Sequence, residues 1–329
     1  MKKLLASSLI VAFMFSASVA TPAPVHAAEM QKDTSVLQET LLGLLQQLVA
    51  AYTALLSQTE GTMMEGDSMM KDGVYTLTLD TNLEDLEKGH YEGWLIVGDE
   101  KISTGKFADG EELSFKFDTP IEDVDKVVVT IEPSGDLDDV PSGVVVLAGD
   151  VTNKTAELTF PVDLSDAAGS VILATPTNGS NSDETSGIWF LELPGPTVGL
   201  DLPELPNGWV YEGWAVYEGT PLTSGRFTEV DEADDFDGYS GPEAGPAFPG
   251  EDFLENAPDG VTFPIDLADG ESAVVISVEP DIDGVDPTGD GPAQAKPLLV
   301  LIEEGQADHE NIELDRDLGS LPSGSATLK

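Results

Sequence analysis

Two acidic loops carry the residues best suited to chemistry in this sequence. Asp281, Asp283, Asp286 and Asp290 fall in EPDIDGVDPTGDG, a Gly- and Pro-rich turn that follows an apolar run. An earlier loop, EPSGDLDDVPSG, holds Asp136, Asp138 and Asp139 at the matching position. Hard cations such as calcium take several oxygen ligands from loops of this kind. Asp281, Asp283 and Asp286 are therefore the calcium candidates. The spacing is not that of an EF-hand and no terminal glutamate closes the loop, so a solvated acidic turn is the competing reading. Met63, Met64, Met69 and Met70 offer thioether sulfur of the kind soft copper prefers, but their surroundings read as a flexible linker.

Catalytic groupings are harder to find. Of the three histidines, His26 lies in an N-terminal leader, His309 sits in the acidic ADHENIELD, and His90 precedes Tyr91 at a strand edge, where a surface role is expected. The sequence contains no G-x-S-x-G, H-E-x-x-H, Walker A or dinucleotide-binding fingerprint. With 62 acidic residues, neighbouring carboxylates arise by chance and lend no support to glycosidase chemistry. Cysteine is absent, which removes disulfides, thiolate metal sites and cysteine nucleophiles together. The expectation is a non-enzymatic protein without a cofactor, calcium apart. A formal net charge of −48 repels nucleic acid and anionic lipid heads, so no nucleic-acid partner is expected.

What must position these loops is a repeated β framework. Residues 91–107 read YEGWLIVGDEKISTGKF and residues 211–227 read YEGWAVYEGTPLTSGRF. Folded as hairpins centred on Asp99 and Gly219, they place Tyr91 opposite Phe107 and Glu92 opposite Lys106, then Tyr211 opposite Phe227 and Glu212 opposite Arg226. Cross-strand aromatic and opposite-charge pairs of this kind are worth roughly 0.2–1 kcal/mol each. Gly93 and Gly213, each preceding a tryptophan, point to a bulge or a close backbone approach. Further echoes follow: KVVVTIEP returns as AVVISVEP, and DLSDAAGSVILA as DLGSLPSGSATL. Between the copies, NGSNSDETSG reads as a linker. The stretch from Phe227 to Glu279 is about twice as long as that from Phe107 to Glu132. The excess includes TEVDEADDFDGYSGPEAGPAFPGEDF, where Phe236, Tyr239, Phe248 and Phe253 alternate with acids, Gly and Pro. Long loops on a rigid scaffold are where binding sites collect. The plainer expectation is that these aromatics pack back on their own module.

The N-terminus has a different texture. Lys2 and Lys3 precede LLASSLIVAFMF and a small-residue cleavage site at Val25-His26-Ala27, the pattern of a secretory signal peptide over 1–27. An uncleaved anchor is the alternative, although the apolar run is shorter than a membrane span requires. Residues 30–58 predict an amphipathic helix with Leu37, Leu41, Leu44, Leu48 and Leu55 on one seam. Its wide apolar face, over 35–58, predicts self-association, docking on the β modules or contact with a membrane surface; a membrane span over the uncharged residues 40–57 is the alternative, against which stand two glutamines and the lack of a flanking positive cluster. Residues 59–72 read as linker.

In Y-x-x-W-L-x-V, G-x-F, V-x-I-E-P-x-G and P-S-G-x-V-V-L-A-G the chain resembles the extracytoplasmic C-terminal domain of anti-sigma-K factors. The residues are Tyr91, Trp94, Gly105, Phe107, Glu132, Pro133, Gly135, Pro141, Gly143, Leu147 and Gly149. The second copy matches through Tyr211, Trp214, Gly225, Phe227, Glu279 and Pro280, but carries KPLLVLIEEG in place of the last motif. The resemblance implies an exported bacterial protein with an extracytoplasmic β module. That family places a sigma-binding helical domain and one membrane span ahead of the module. Here a signal-peptide pattern and a Leu/Gln-rich helix stand there, so sigma-factor inhibition by that route is not expected.

The combined expectation is an all-β protein with two related antiparallel β-sandwich modules in tandem, over 73–178 and 187–329, preceded by the amphipathic helix. It is exported, to the cell surface, the periplasm or the medium. It acts as a structural or binding protein, or alternatively as a sensing or regulatory module working through a membrane partner.

Overall fold

The computed structural model describes residues 74–86, 88–108, 113–136, 140–282, 285 and 291–329. The expected leader, helix and linker lie outside the described residues, as do Asp283 and Asp286. Among the described residues up to 160, short runs of Val, Ile, Thr and aromatic residues, cut by Gly, Asn and Asp turns, give seven strands. These are β1 (Tyr75–Thr81), β2 (His90–Val97), β3 (Glu100–Phe107), β4 (Leu113–Phe117), β5 (Lys126–Glu132), β6 (Val145–Asp150) and β7 (Thr155–Thr159). Next come β8 (Ala168–Leu173), β9 (Gly187–Trp189), β10 (Leu191–Glu192), β11 (Thr197–Val198), β12 (Leu200–Asp201), β13 (Trp209–Tyr217) and β14 (Thr220–Phe227). The chain ends with β15 (Gly250–Asp252), β16 (Ala273–Pro280), β17 (Leu298–Leu301), β18 (Ile312–Glu313), β19 (Asp315–Arg316) and β20 (Ser323–Leu328). Helical residues among those described are confined to short 3-10 turns, and every strand ladder is antiparallel. The fold is all-β.

Both hairpins form in the register the sequence predicts. Tyr91 faces Phe107 and Glu92 faces Lys106, and Tyr211 faces Phe227 and Glu212 faces Arg226. The ring pairs sit 5.5 and 5.7 Å apart. Immediately beyond, the register slips between Gly93 and Trp94, and again between Gly213 and Trp214. The extra residue is Thr104 in the first hairpin and Ser224 in the second. Each is followed by a glycine at positive φ, +123° at Gly105 and +118° at Gly225, which an L side chain would strain. A Cβ on Gly93 would stand 2.5 Å from Thr104 Oγ1, and one on Gly213 only 2.3 Å from Ser224 Oγ. The repeated Y-E-G-W and S/T-G-x-F are thus the two halves of one bulge.

Sheet membership does not follow chain order at the ends of the repeats. The first sheet runs β3-β2-β5-β6-β7-β20-β1-β4 and curls until its end strands meet, with Phe107 and Phe115 rings 5.8 Å apart. The last strand of the chain therefore lies between β7 and β1. The second module follows the same order through β14-β13-β16-β17-β19. After a break it resumes as β18-β8-β9-β15, and β14 again touches β15. Here β8 fills the slot that β20 fills in the first module. These two strands belong to the echoing segments DLSDAAGSVILA and DLGSLPSGSATL. Each repeat hands its final strand to the other.

The apolar interior is correspondingly continuous. One buried cluster takes in Leu77, Leu79 and Val129 from the first module and Phe253, Ile276 and Leu298 from the second. Phe160 meets Trp209 edge-on at 5.3 Å across the junction. Full burial of such side chains is worth roughly 1.5–3 kcal/mol each. The described residues fall in one compact unit.

Candidate functional site

Strand β2 buries both faces. Tyr91 and Leu95 enter the core, while His90, Glu92 and Trp94 line the opposite face, two residues apart as strand geometry requires. That face holds a polar ladder. Trp94 Nε1 donates to Thr130 Oγ1 at 2.8 Å, and Thr130 in turn hydrogen-bonds Glu132. The Glu132 carboxylate accepts the Ser142 N–H at 3.0 Å, and Ser142 Oγ donates to the Ile131 carbonyl at 2.7 Å. This accounts for E-P and P-S-G as a pair: the buried acid pins the loop that follows β5.

The second module repeats the ladder. Trp214 Nε1 donates to Ser277 Oγ at 2.9 Å, Ser277 hydrogen-bonds Glu279, and Glu279 accepts the Ala293 N–H at 2.8 Å. Burial raises the Glu279 carboxyl from 4.5 to about 7. Glu212 is also pushed up by burial, against the pull of Thr223 and Arg226. Arg226 Nε stands 3.0 Å from Glu212 Oε2, whereas Lys106 Nζ stands 3.7 Å from Glu92 Oε2.

The long insertion of the second module builds a pocket. Its aromatics largely pack inward: Phe253 is fully buried, and Tyr239 meets Phe236, Phe253 and Phe263 at 5.0–6.1 Å. Three buried or half-buried acids staple the excursion to β9 and β15. Asp252 accepts Trp189 Nε1 and the Thr177 N–H, both at 2.7 Å, and burial raises its carboxyl. Glu251 accepts from Ser240 and from the Tyr239 N–H, and Asp234 accepts the Gly250 and Phe236 N–H groups. Burial lifts both Glu251 and Asp234 to about 7. Gly245 passes so close to Trp189 that a Cβ would stand 2.6 Å from the indole. What remains open is a cavity of about 380 Å³, lined by Trp189, Phe236, Phe248, Asp235, Asp237 and Glu243 among others. Aromatic faces beside exposed carboxylates suit a cationic group carried on a flat or aliphatic stem. Asp234 also faces this cavity, but both its oxygens accept backbone N–H groups, so it holds the loop instead of offering a proton.

Asp281 is exposed, with its N–H bonded to the Gly208 carbonyl at 2.8 Å; its companions Asp283 and Asp286 lie outside the described residues. His309 is exposed and pairs with Asp308 at 2.9 Å. His90, expected at the surface, is instead largely covered, its imidazole 3.9 Å from Glu92. The signal was available: His90, Glu92 and Trp94 alternate on one strand face, opposite Thr130 and Glu132.

The family model described as anti-sigma-K factor rskA, C-terminal, matches residues 4–145. Within the described residues that match covers β1 to β5 and the start of β6, including the first bulge and the Glu132 loop staple. No curated protein and no solved structure matched the chain.

Proposed function

We propose that the protein is an exported, non-enzymatic binding or structural protein of the cell surface or extracellular space. In this reading a pair of anti-sigma-K-like modules forms the scaffold, and the insertion of the second module carries the recognition site. The observation that carries it is the pocket beside Trp189, where Phe236 and Phe248 meet Asp235, Asp237 and Glu243. Its ligand is a cationic one, such as a lysine- or arginine-bearing peptide of an envelope protein. The helix over 35–58 supplies self-association in this proposal. Titration of a fluorescent arginine-containing peptide, against the chain and against Asp235→Asn/Asp237→Asn, tests the pocket. Saturable binding that the double substitution weakens at least tenfold supports the assignment, and equal binding to both rejects it. Light scattering on the mature chain, beside a version starting at Lys71, tests the helix: an oligomer that becomes monomer on truncation supports it.

A second reading rests on the match over residues 4–145. Here the modules sense a condition outside the membrane and work through a separate membrane partner. In-cell cross-linking separates the two, since this reading requires one specific membrane protein in the product, whereas a structural protein cross-links chiefly to itself.

A further inference from the structure

We propose that His90, Glu92 and Asp136 form a binding site for a divalent transition-metal cation, with Zn²⁺ as the best fit, and that Lys106 stands in for the ion when it is absent. The three side chains bring their ligand atoms within 4.8 Å of one another. Glu92 is only 2% exposed, yet its Oε2 makes no hydrogen bond, and neither does the buried His90 Nε2 that stands 3.9 Å from it. Two buried polar atoms facing each other without a hydrogen-bonded partner are costly unless a cation joins them. Glu92 Oε1 is separately engaged by Ser103, which fixes the carboxylate and leaves Oε2 directed at the imidazole.

One imidazole nitrogen and two carboxylates make a ligand set that suits zinc, with a fourth position open to water. Zinc–ligand bonds of about 2.0–2.2 Å place ligands roughly 3.3 Å apart in a tetrahedron. The His90–Glu92 separation of 3.9 Å therefore closes by about half an ångström on binding, and the wider spacing of up to 4.8 Å within the trio by about 1.5 Å, which side-chain rotation of the less buried Asp136 supplies. Lys106 Nζ lies 3.7 Å from Glu92 and 3.5 Å from Asp136, near where the ion belongs. Its side chain is 40% exposed on a flexible stem, so the ammonium can leave for solvent. The second module is the internal contrast. Val210 replaces the histidine, and Arg226 engages Glu212 at 3.0 Å and fills the equivalent space.

The test is calorimetric titration of ZnCl₂ into the full chain with excess Mg²⁺ present, which occupies the acidic surface without competing for an imidazole site. One site per chain is expected, weakened at least tenfold in His90→Val, the residue found in the second module. Lys106→Gln should bind several-fold more tightly, because the competing ammonium is gone. Near-ultraviolet circular dichroism of both variants establishes that the fold persists. Absence of a one-site phase above the Mg²⁺ background overturns the proposal, as does unchanged affinity in a folded His90→Val chain. Weaker binding by folded Lys106→Gln overturns the stand-in role.

Discussion

Leu79 and Ala326 are direct partners across the β1–β20 ladder, although one belongs to the first strand and the other to the last. Ala326 also faces Ala156 on β7, so the C-terminal strand is paired along both edges. Its equivalent, β8, pairs with β9, β12 and β18 in the other module. Neither module can complete its sheet from its own stretch of sequence.

Residues 73–178 produced alone are therefore expected to misfold, since they lack β20 and carry an orphaned β8 edge. Joining residues 73–166 to residues 321–329 through a short glycine linker should restore a folded first module. In the intact chain the shared core predicts one calorimetric transition, with calorimetric and van't Hoff enthalpies equal. A cooperatively folded 73–178 fragment, or two separated transitions, would show that the exchange is not required.

The bulge makes a sharper claim about single atoms. Gly93→Ala places a methyl 2.5 Å from Thr104 Oγ1 and otherwise meets only side-chain atoms beyond 3.7 Å. It should cost about 1–3 kcal/mol. Thr104 Oγ1 is itself buried without a hydrogen-bond partner, so Thr104→Ala alone is cheap, and the double variant should recover most of the loss. Gly213→Ala should resist such rescue by Ser224→Ala, because the Phe190 ring lies 2.6 Å from the same point. Urea unfolding of both cycles decides it; additive losses at positions 93 and 104 would remove the bulge contact as the cause.

The charged rungs differ between the modules despite a shared register. Arg226 meets Glu212 through a hydrogen bond at 3.0 Å, while Lys106 stays 3.7 Å from Glu92. A double-mutant cycle should give a coupling of about 2 kcal/mol for Glu212 and Arg226, whose acid is buried. The first pair, with its half-exposed lysine, should give about 0.5 kcal/mol. Raising salt from 0.1 to about 1 M should erode the weaker coupling first.

The hairpin registers, the bulges and the duplication were legible in the sequence because each follows from local pairing and from where glycine falls. The all-β class was legible for the same reason. The strand exchange was not. DLSDAAGSVILA and DLGSLPSGSATL were recognisable as echoes, but alternation along a strand is identical whichever sheet receives it. Which one does depends on connection paths over the whole chain. The insertion announced itself by length and by Phe236, Tyr239, Phe248 and Phe253. Its staples, Asp234, Glu251 and Asp252, were lost among 62 acids, since no local pattern separates a buried carboxylate from a solvated one.

Buried carboxylates also set the sign of the pH response. Burial holds Glu279 near 7 in the folded chain against 4.5 when exposed. Between those values the folded chain keeps a proton that the unfolded chain has released, so stability falls as pH rises through the window. The full penalty, on the order of 3 kcal/mol, is in force only above about pH 7. Asp234 and Glu251, also lifted to about 7, act with the same sign. The unfolding midpoint should therefore be higher at pH 5 than at pH 8. Glu279→Gln keeps an acceptor for Ser277 and the Ala293 N–H while removing the charge, so it should raise the pH 8 midpoint and narrow the difference. A Gln variant with the parent's full pH dependence would mean that Glu279 gains compensating solvation and that the insertion acids, Asp234 and Glu251, carry the response.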